Sequence, residues 1–175
     1  MSNFKVLALA LVITALLCMP ALAYEQAVQV QSPTGGITPS FSMSIVSGVT
    51  IIPLAIGTIN QDGPLCNVST NTPYTIKAKD SMALAKPAST GGKMAHYSSA
   101  STWVGTGLTN ALKLAVNGGA YLPMSGTDTV VRTGTAEAFS SPLKFQQVIV
   151  VSDPVLPTDG SKYYIELLVS GAANP

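Results

Sequence analysis

Apolar and polar residues alternate one for one through long stretches of this chain, and Gly, Pro, Asn and Asp repeatedly cut the alternation. A period of two sends successive side chains to opposite faces, which suits a half-buried β-strand and no helix. Phe41, Met43 and Ile45 alternate with Ser42 and Ser44, while Tyr74, Ile76 and Ala78 alternate with Thr75, Lys77 and Lys79. Leu112, Leu114 and Val116 follow the same rule. Leu143, Phe145, Ile149 and Val151 share a parity that Gln147 interrupts, and Tyr163, Ile165, Leu167 and Val169 share another. These last two runs are the longest and are expected to be central. Between the runs stand Asp62-Gly63-Pro64, Asn71-Thr72-Pro73, Gly91-Gly92, Asn117-Gly118-Gly119, Ser125-Gly126-Thr127-Asp128 and Thr158-Asp159-Gly160, which have the chemistry of tight reversals. About nine short strands joined by such turns predict an all-β fold, a single antiparallel β-sandwich of immunoglobulin-like or jelly-roll type. After residue 24 no helical stripe is present, and Asp80 to Ala85 suffices for one turn at most.

The first 23 residues follow a different rule. Lys5 precedes an unbroken apolar run from Val6 to Met19, then Pro20 and the small-x-small end Ala21-Leu22-Ala23. This is the pattern of a secretory signal peptide, a short helix cut after Ala23. The run is shorter than the roughly 20 residues of a membrane helix. Cys18 follows Ala15-Leu16-Leu17 and lacks the small residue that normally precedes a lipidated cysteine. The expected organisation is a signal peptide over 1–23, an N-terminal strand and hinge over 24–36, and a sandwich domain over 37–175. The mature protein is expected to be secreted, extracellular and associated with the cell surface, with no membrane contact after cleavage.

Charge narrows the partners. Charged residues make up 10% of the chain, against about a quarter in ordinary proteins, and the acids and bases of the mature chain cancel. One Arg and scattered Lys do not build the clustered positive surface that phosphate recognition needs, so nucleic acid is not an expected partner. Cys66 is the one cysteine left after cleavage, so no intramolecular disulfide forms and the core must hold without staples. Alternation with Val68 places the thiol inward, as a small buried hydrophobe.

Catalytic sets are missing. His96 is the only histidine, which excludes histidine-cluster zinc sites and leaves a Ser-His-Asp triad without a nucleophile turn; it is assigned to a loop. Most acids sit beside Gly, Pro or Ser, where turn formation accounts for them. No cofactor is expected and no catalytic residue is assigned. Calcium is the one metal compatible with the loops at Ser152-Asp153-Pro154 and Pro157-Thr158-Asp159-Gly160, although they hold no Asp-x-Asp ladder. Asn67-Val68-Ser69 is a glycosylation sequon, with Asn67 the candidate attachment point. Tyr97 and Trp103 are candidates for stacking on a sugar ring if exposed; Trp103 followed by Val104 also reads as a core anchor.

The segment directly after the cut, Tyr24-Glu25-Gln26-Ala27-Val28-Gln29-Val30-Gln31, is a nearly uncharged strand set off by Ser32-Pro33-Thr34-Gly35-Gly36. It either forms the first strand of its own domain or adds to the sheet of a neighbouring copy with Val28 and Val30 inserted. Repeated head to tail, the second arrangement does not close and yields a filament.

The stretches Phe41 to Gly57 and Leu65 to Asp80 resemble small secreted surface proteins of archaea and bacteria with immunoglobulin-like or jelly-roll sandwiches. The second is similar to the strand pair of WxL-type and pilin-like surface domains. Tyr74-Thr75-Ile76 stands where a Trp-x-Leu would be expected, so the resemblance does not imply peptidoglycan attachment. Together these readings predict a non-enzymatic structural protein of the surface or of a filament, with itself or other surface proteins as partners. The alternative is an extracellular binding module for a glycan or an adhesion partner.

Overall fold

The alternating runs are strands. A computed structural model describes residues 38–46, 48–82 and 86–174; the expected signal-peptide helix over 1–23 and the N-terminal strand and hinge over 24–36, with Val28 and Val30, lie outside the described residues. Eleven strands follow in order: β1 (Phe41–Ile45), β2 (Gly57–Thr70), β3 (Tyr74–Asp80), β4 (Lys93–Tyr97), β5 (Trp103–Ala111), β6 (Lys113–Val116), β7 (Leu122–Pro123), β8 (Thr129–Gly134), β9 (Glu137–Ile149), β10 (Lys162–Tyr164) and β11 (Leu167–Ala173). The described residues contain one 3-10 turn, Ala88–Thr90, and no α-helix. The strands form three sheets in the orders β1-β2-β9-β6-β7, β10-β4-β5 and β11-β3-β8. Every pair is antiparallel, so the all-β, antiparallel expectation holds.

Two expectations are corrected. Asp62-Gly63-Pro64 is not a reversal: it lies within β2, where the register against β9 slips between Asp62 and Leu65. The slip is a β-bulge, which accommodates Pro64, a residue with no N–H to give to a ladder. Gly63 is needed there because a Cβ would sit 2.3 Å from the Phe145 ring. The chain therefore runs straight through and β2 reaches 14 residues. The two longest alternating runs also differ in position. β9 is central, between β2 and β6, but the run from Tyr163 to Val169 breaks at Ile165-Glu166 into β10 and β11, each at a sheet edge.

Burial follows parity along β3 and the second half of β9, whereas β4 and β6 are buried on both faces. Tyr74, Ile76 and Ala78 of β3 turn inward with Cys66 and Val68 of β2, Leu114 and Val116 of β6, Val131 of β8, and Leu143 and Phe145 of β9. One cluster thus joins side chains of two sheets. A smaller one gathers Met94, Leu108 and Ile149. Gln147 keeps the inward parity of β9 and is fully buried; its amide donates to the carbonyls of Asn110 and Val148, both at 3.1 Å. These bonds satisfy the amide nitrogen, while the amide oxygen is buried without a hydrogen-bond partner, which costs stability. Val151 lies past the end of β9 and is exposed.

A buried ion pair ties the end of β3 to the start of β4. Lys86 Nζ contacts Asp80 Oδ2, and each side chain is 1% exposed. Gly92 N–H donates to Asp80 Oδ2 at 2.9 Å, Met82 N–H donates to Oδ1 at 3.0 Å, and the ammonium donates to Lys93 O at 2.9 Å. Such a pair is tolerable in the interior only because these further bonds replace water around both charges.

Candidate functional site

The outer flank of the five-stranded sheet is unfinished. β1 pairs with β2 from Phe41↔Thr70 to Ile45↔Cys66, and no described strand lies on its other side. At the two ends of this ladder Asn71 N–H donates to Ser40 O at 3.3 Å and Val46 N–H donates to Leu65 O at 3.1 Å. In antiparallel pairing, residues that bond across a ladder alternate with residues that do not. Ser42 and Ser44 therefore share the phase of Ser40 and Val46 and bond to β2. Phe41, Met43 and Ile45 turn their N–H and C=O to the open edge.

Side chains divide the other way. Phe41, Met43 and Ile45 pack half-buried on the core cluster, as do Leu167 and Val169 of β11, while Ser42 and Ser44 face solvent. Gly171 of β11 comes so close to β1 that a Cβ would lie 2.6 Å from Phe41 Cζ and 3.0 Å from Met43 Sδ. Two edge strands of different sheets thus meet along the half-covered side of the core.

The connection from β1 to β2 carries the most exposed apolar surface. Val49 is 88% exposed, Ile51 80% and Ile56 71%, with Val46 and Leu54 of the connection and Leu65 of β2 also exposed. A groove of about 560 Å³ is lined by Val46, Val49 and Ile51 and, at the bulge, by Asp62, Pro64 and Leu65. Grouped rather than scattered, exposed side chains of this kind mark an interaction surface. Sequence reasoning did not pick out this segment as a candidate site. The available signal was the run Ile51-Ile52-Pro53-Leu54-Ala55-Ile56, where Pro53 and the lack of polar partners break the period of two.

The other candidate residues are not brought together. Tyr97 is 1% exposed, its ring edge-on to Tyr164 at 5.9 Å, so it offers no face to a sugar; the stacking pair Tyr97 and Trp103 is not an exposed platform. The two do stand opposite each other across β4 and β5. Trp103 is half-buried, with its indole N–H enclosed and without a hydrogen-bond partner. His96 lies in β4 rather than in a loop and is 9% exposed. Its Nδ1 is 3.2 Å from Thr106 Oγ1, and its ring is 6.1 Å from that of Tyr163.

The acids of the two calcium-compatible loops are occupied by their own backbone. Asp153 Oδ1 accepts from Thr109 N–H at 2.7 Å and Oδ2 from Val150 N–H at 2.8 Å. Burial pushes this carboxyl up, but the backbone donors outweigh it and hold Asp153 below its ordinary value. Asp159 accepts from Ser161 N–H at 2.9 Å, and hydrogen bonding to Ser161 lowers it likewise. Among the described residues no three His, Cys, Asp or Glu side chains converge to hold a metal.

Asn67 points away from the core between buried Cys66 and Val68, and its amide reaches Ser44 Oγ at 3.4 Å. Cys66 is a free thiol at 0% exposure, and burial pushes its pKa up. A partly buried network stands at one end of the core. Arg132 donates to Tyr74 Oη at 2.7 Å and to Glu137 Oε1 at 2.8 Å, Tyr74 Oη–H donates to Glu137, and the guanidinium lies 5.1 Å from the centre of the Phe139 ring.

No helix among the described residues is long and apolar enough to cross a membrane. Comparison of the chain with known protein families, with characterised proteins and with solved structures gives no match.

Proposed function

We propose that this chain is a secreted, non-enzymatic structural subunit of the cell surface or of an extracellular filament, assembled by adding the N-terminal strand of one copy to the sheet of the next. The observation that carries the reading is the unfinished flank of the five-stranded sheet, where β1 has one edge without a described partner strand, beside exposed Val49, Ile51 and Ile56. Free strand edges template pairing with another chain, and soluble proteins ordinarily blunt them with charge. Here no charged residue occurs from Phe41 to Gln61.

The leader pattern over residues 1–23 supports export, and the polar but weakly charged composition suits an extracellular surface. Val28 and Val30 are the side chains that would enter the acceptor. A sandwich is the fold we assign to the domain. It is supported by the core cluster shared between the β1-β2-β9-β6-β7 and β11-β3-β8 sheets and by the close approach of Gly171 to Phe41.

The test is deletion of Tyr24 to Gln31 from the mature chain, followed by size-exclusion chromatography with light scattering. The expected result is a folded monomer in place of the polymers formed by the intact chain. Polymers of unchanged size would refute strand-mediated assembly.

A further inference from the structure

We infer that Asn67 carries an N-linked glycan, which covers the outer face of the five-stranded sheet where β1, β2 and β9 lie side by side; this rests on the export proposed above and not on the mode of assembly. Asn67-Val68-Ser69 has the acceptor pattern Asn-x-Ser, and no other Asn of the sequence is followed two residues later by Ser or Thr. In Asn71-Thr72-Pro73 a Pro stands where the hydroxyl is needed.

The strand sets both parts of the pattern on one side. Residues two apart in a strand share a face, so Asn67 and Ser69 point outward while Cys66, Val68 and Thr70 are buried. Asn67 stands in a regular stretch of ladder, opposite Ser44 of β1 and Ser140 of β9, and Ser69 stands opposite Ser42 and Ala138. Directly opposite side chains lie on the same face, and Ser42, Ser44, Ser69, Ala138 and Ser140 are all exposed. Across both neighbouring strands Asn67 therefore meets nothing larger than Ser, which leaves room for a sugar on its amide. The glycan would stand off the sheet with the side chain, whereas the open edge of β1 lies in the plane of the sheet.

Bonding and charge both favour this site. The Asn67 amide makes one long contact, 3.4 Å to Ser44 Oγ, so substituting its nitrogen sacrifices little. Asn71, Asn110 and Asn174 instead donate to Thr38 O at 3.0 Å, Val148 O at 3.2 Å and Thr75 Oγ1 at 2.7 Å. The face around Asn67 holds no charge, and Leu65, two residues back on the same strand, is 45% exposed. The outer side of β3, by contrast, carries Lys77 and Lys79 beside Asp128. A flat uncharged face is poorly protected from stacking on another molecule, and a glycan supplies the bulk and hydration that charge supplies elsewhere.

The chain contributes the acceptor, and a membrane transferase of the export route supplies a sugar held on a lipid phosphate or pyrophosphate. Asn67 Nδ2 attacks the anomeric carbon. The new N–C bond forms as the bond from that carbon to the phosphate oxygen breaks, the lipid phosphate leaves with the electron pair, and one amide proton passes to a base of the transferase. No atom is oxidised or reduced, and the product is a glycosyl amide that keeps one N–H.

The test is intact-mass spectrometry of the chain recovered from the surface or medium of the cells that make it, with fragmentation of the peptide that holds residue 67. The expected result is a mature chain heavier than its polypeptide by one or more sugar residues, all on Asn67. Asn67→Gln and Ser69→Ala, both on the solvent face, should return the mass to that of the polypeptide, and Ser69→Thr should keep the sugar. An exported chain that starts at Tyr24 and has the bare polypeptide mass overturns the glycan while sparing export. A chain kept inside the cell with residues 1–23 in place overturns both. Sugar that persists in Asn67→Gln sits on another residue and also overturns the assignment.

Discussion

The Asp80 and Lys86 side chains show how a chain so sparing with charge uses it. Both lie at 1% exposure, paired with each other and held by bonds to Met82 N–H, Gly92 N–H and Lys93 O. Lys86→Met leaves a carboxylate buried without its counter-charge and should cost about 3–5 kcal/mol, read as a lower urea midpoint at unchanged slope; a loss under about 1 kcal/mol would mean that water reaches the pair. Glu137 is held below its ordinary value by the Tyr74 hydroxyl first and the Arg132 guanidinium second. Asp153 and Asp159 are lowered as well. A carboxylate depressed on folding contributes stability above its unfolded value, near 4, and the contribution fades as pH falls through the folded value. The urea midpoint should therefore drop on acidification below about pH 4, and Glu137→Gln should flatten that drop; an unaltered acid limb would contradict the network. Cys66, buried and raised, should resist a thiol reagent in the native protein and take up one equivalent after unfolding. None of these partnerships was legible in the sequence except the inward position of Cys66. Parity assigns a face to a residue, but the partner across the core depends on which strands become neighbours.

At the scale of elements, period two was a sufficient guide wherever one face is buried and the other wet. β1, β3, β6 and β9 appear where alternation placed them, and the Asn117-Gly118 reversal forms with both residues at positive φ, 46° and 75°, as a tight hairpin turn requires. The reading failed where the same residues serve another purpose. Asp62-Gly63-Pro64 has the composition of a turn, yet long-range pairing with β9 carries the strand through it and turns it into a bulge. Gly63→Ala tests this directly: the new methyl would meet the Phe145 ring, and overpacking of this kind should cost about 1–3 kcal/mol. A neutral substitution, measured by thermal unfolding, would indicate that the bulge has room. β10 and β11 teach the complementary lesson, since apolar length alone does not say whether a strand is flanked on both sides. The connection between β1 and β2 was not picked out as a candidate site, since the exposure of its Ile, Leu and Val side chains is visible only in the fold.

For the whole molecule, the account joins an N-terminal strand whose one charge is Glu25 to a sheet edge, β1, that carries no charge. The donor side was visible in the sequence as a short alternating segment set off by Pro33, Gly35 and Gly36. The open edge of β1 was not, because an edge exists only once β2 has paired with β9 and β1 with β2. A strand given by each copy to the next makes a head-to-tail contact, which builds a filament where the rotation between copies does not close a ring. Negative-stain electron microscopy of the mature chain, side by side with the variant lacking Tyr24 to Gln31, addresses this claim most directly. The account predicts regular filaments with a subunit-sized repeat for the intact chain and separate folded particles for the variant. Separate particles in both samples, or filaments in both, would contradict it.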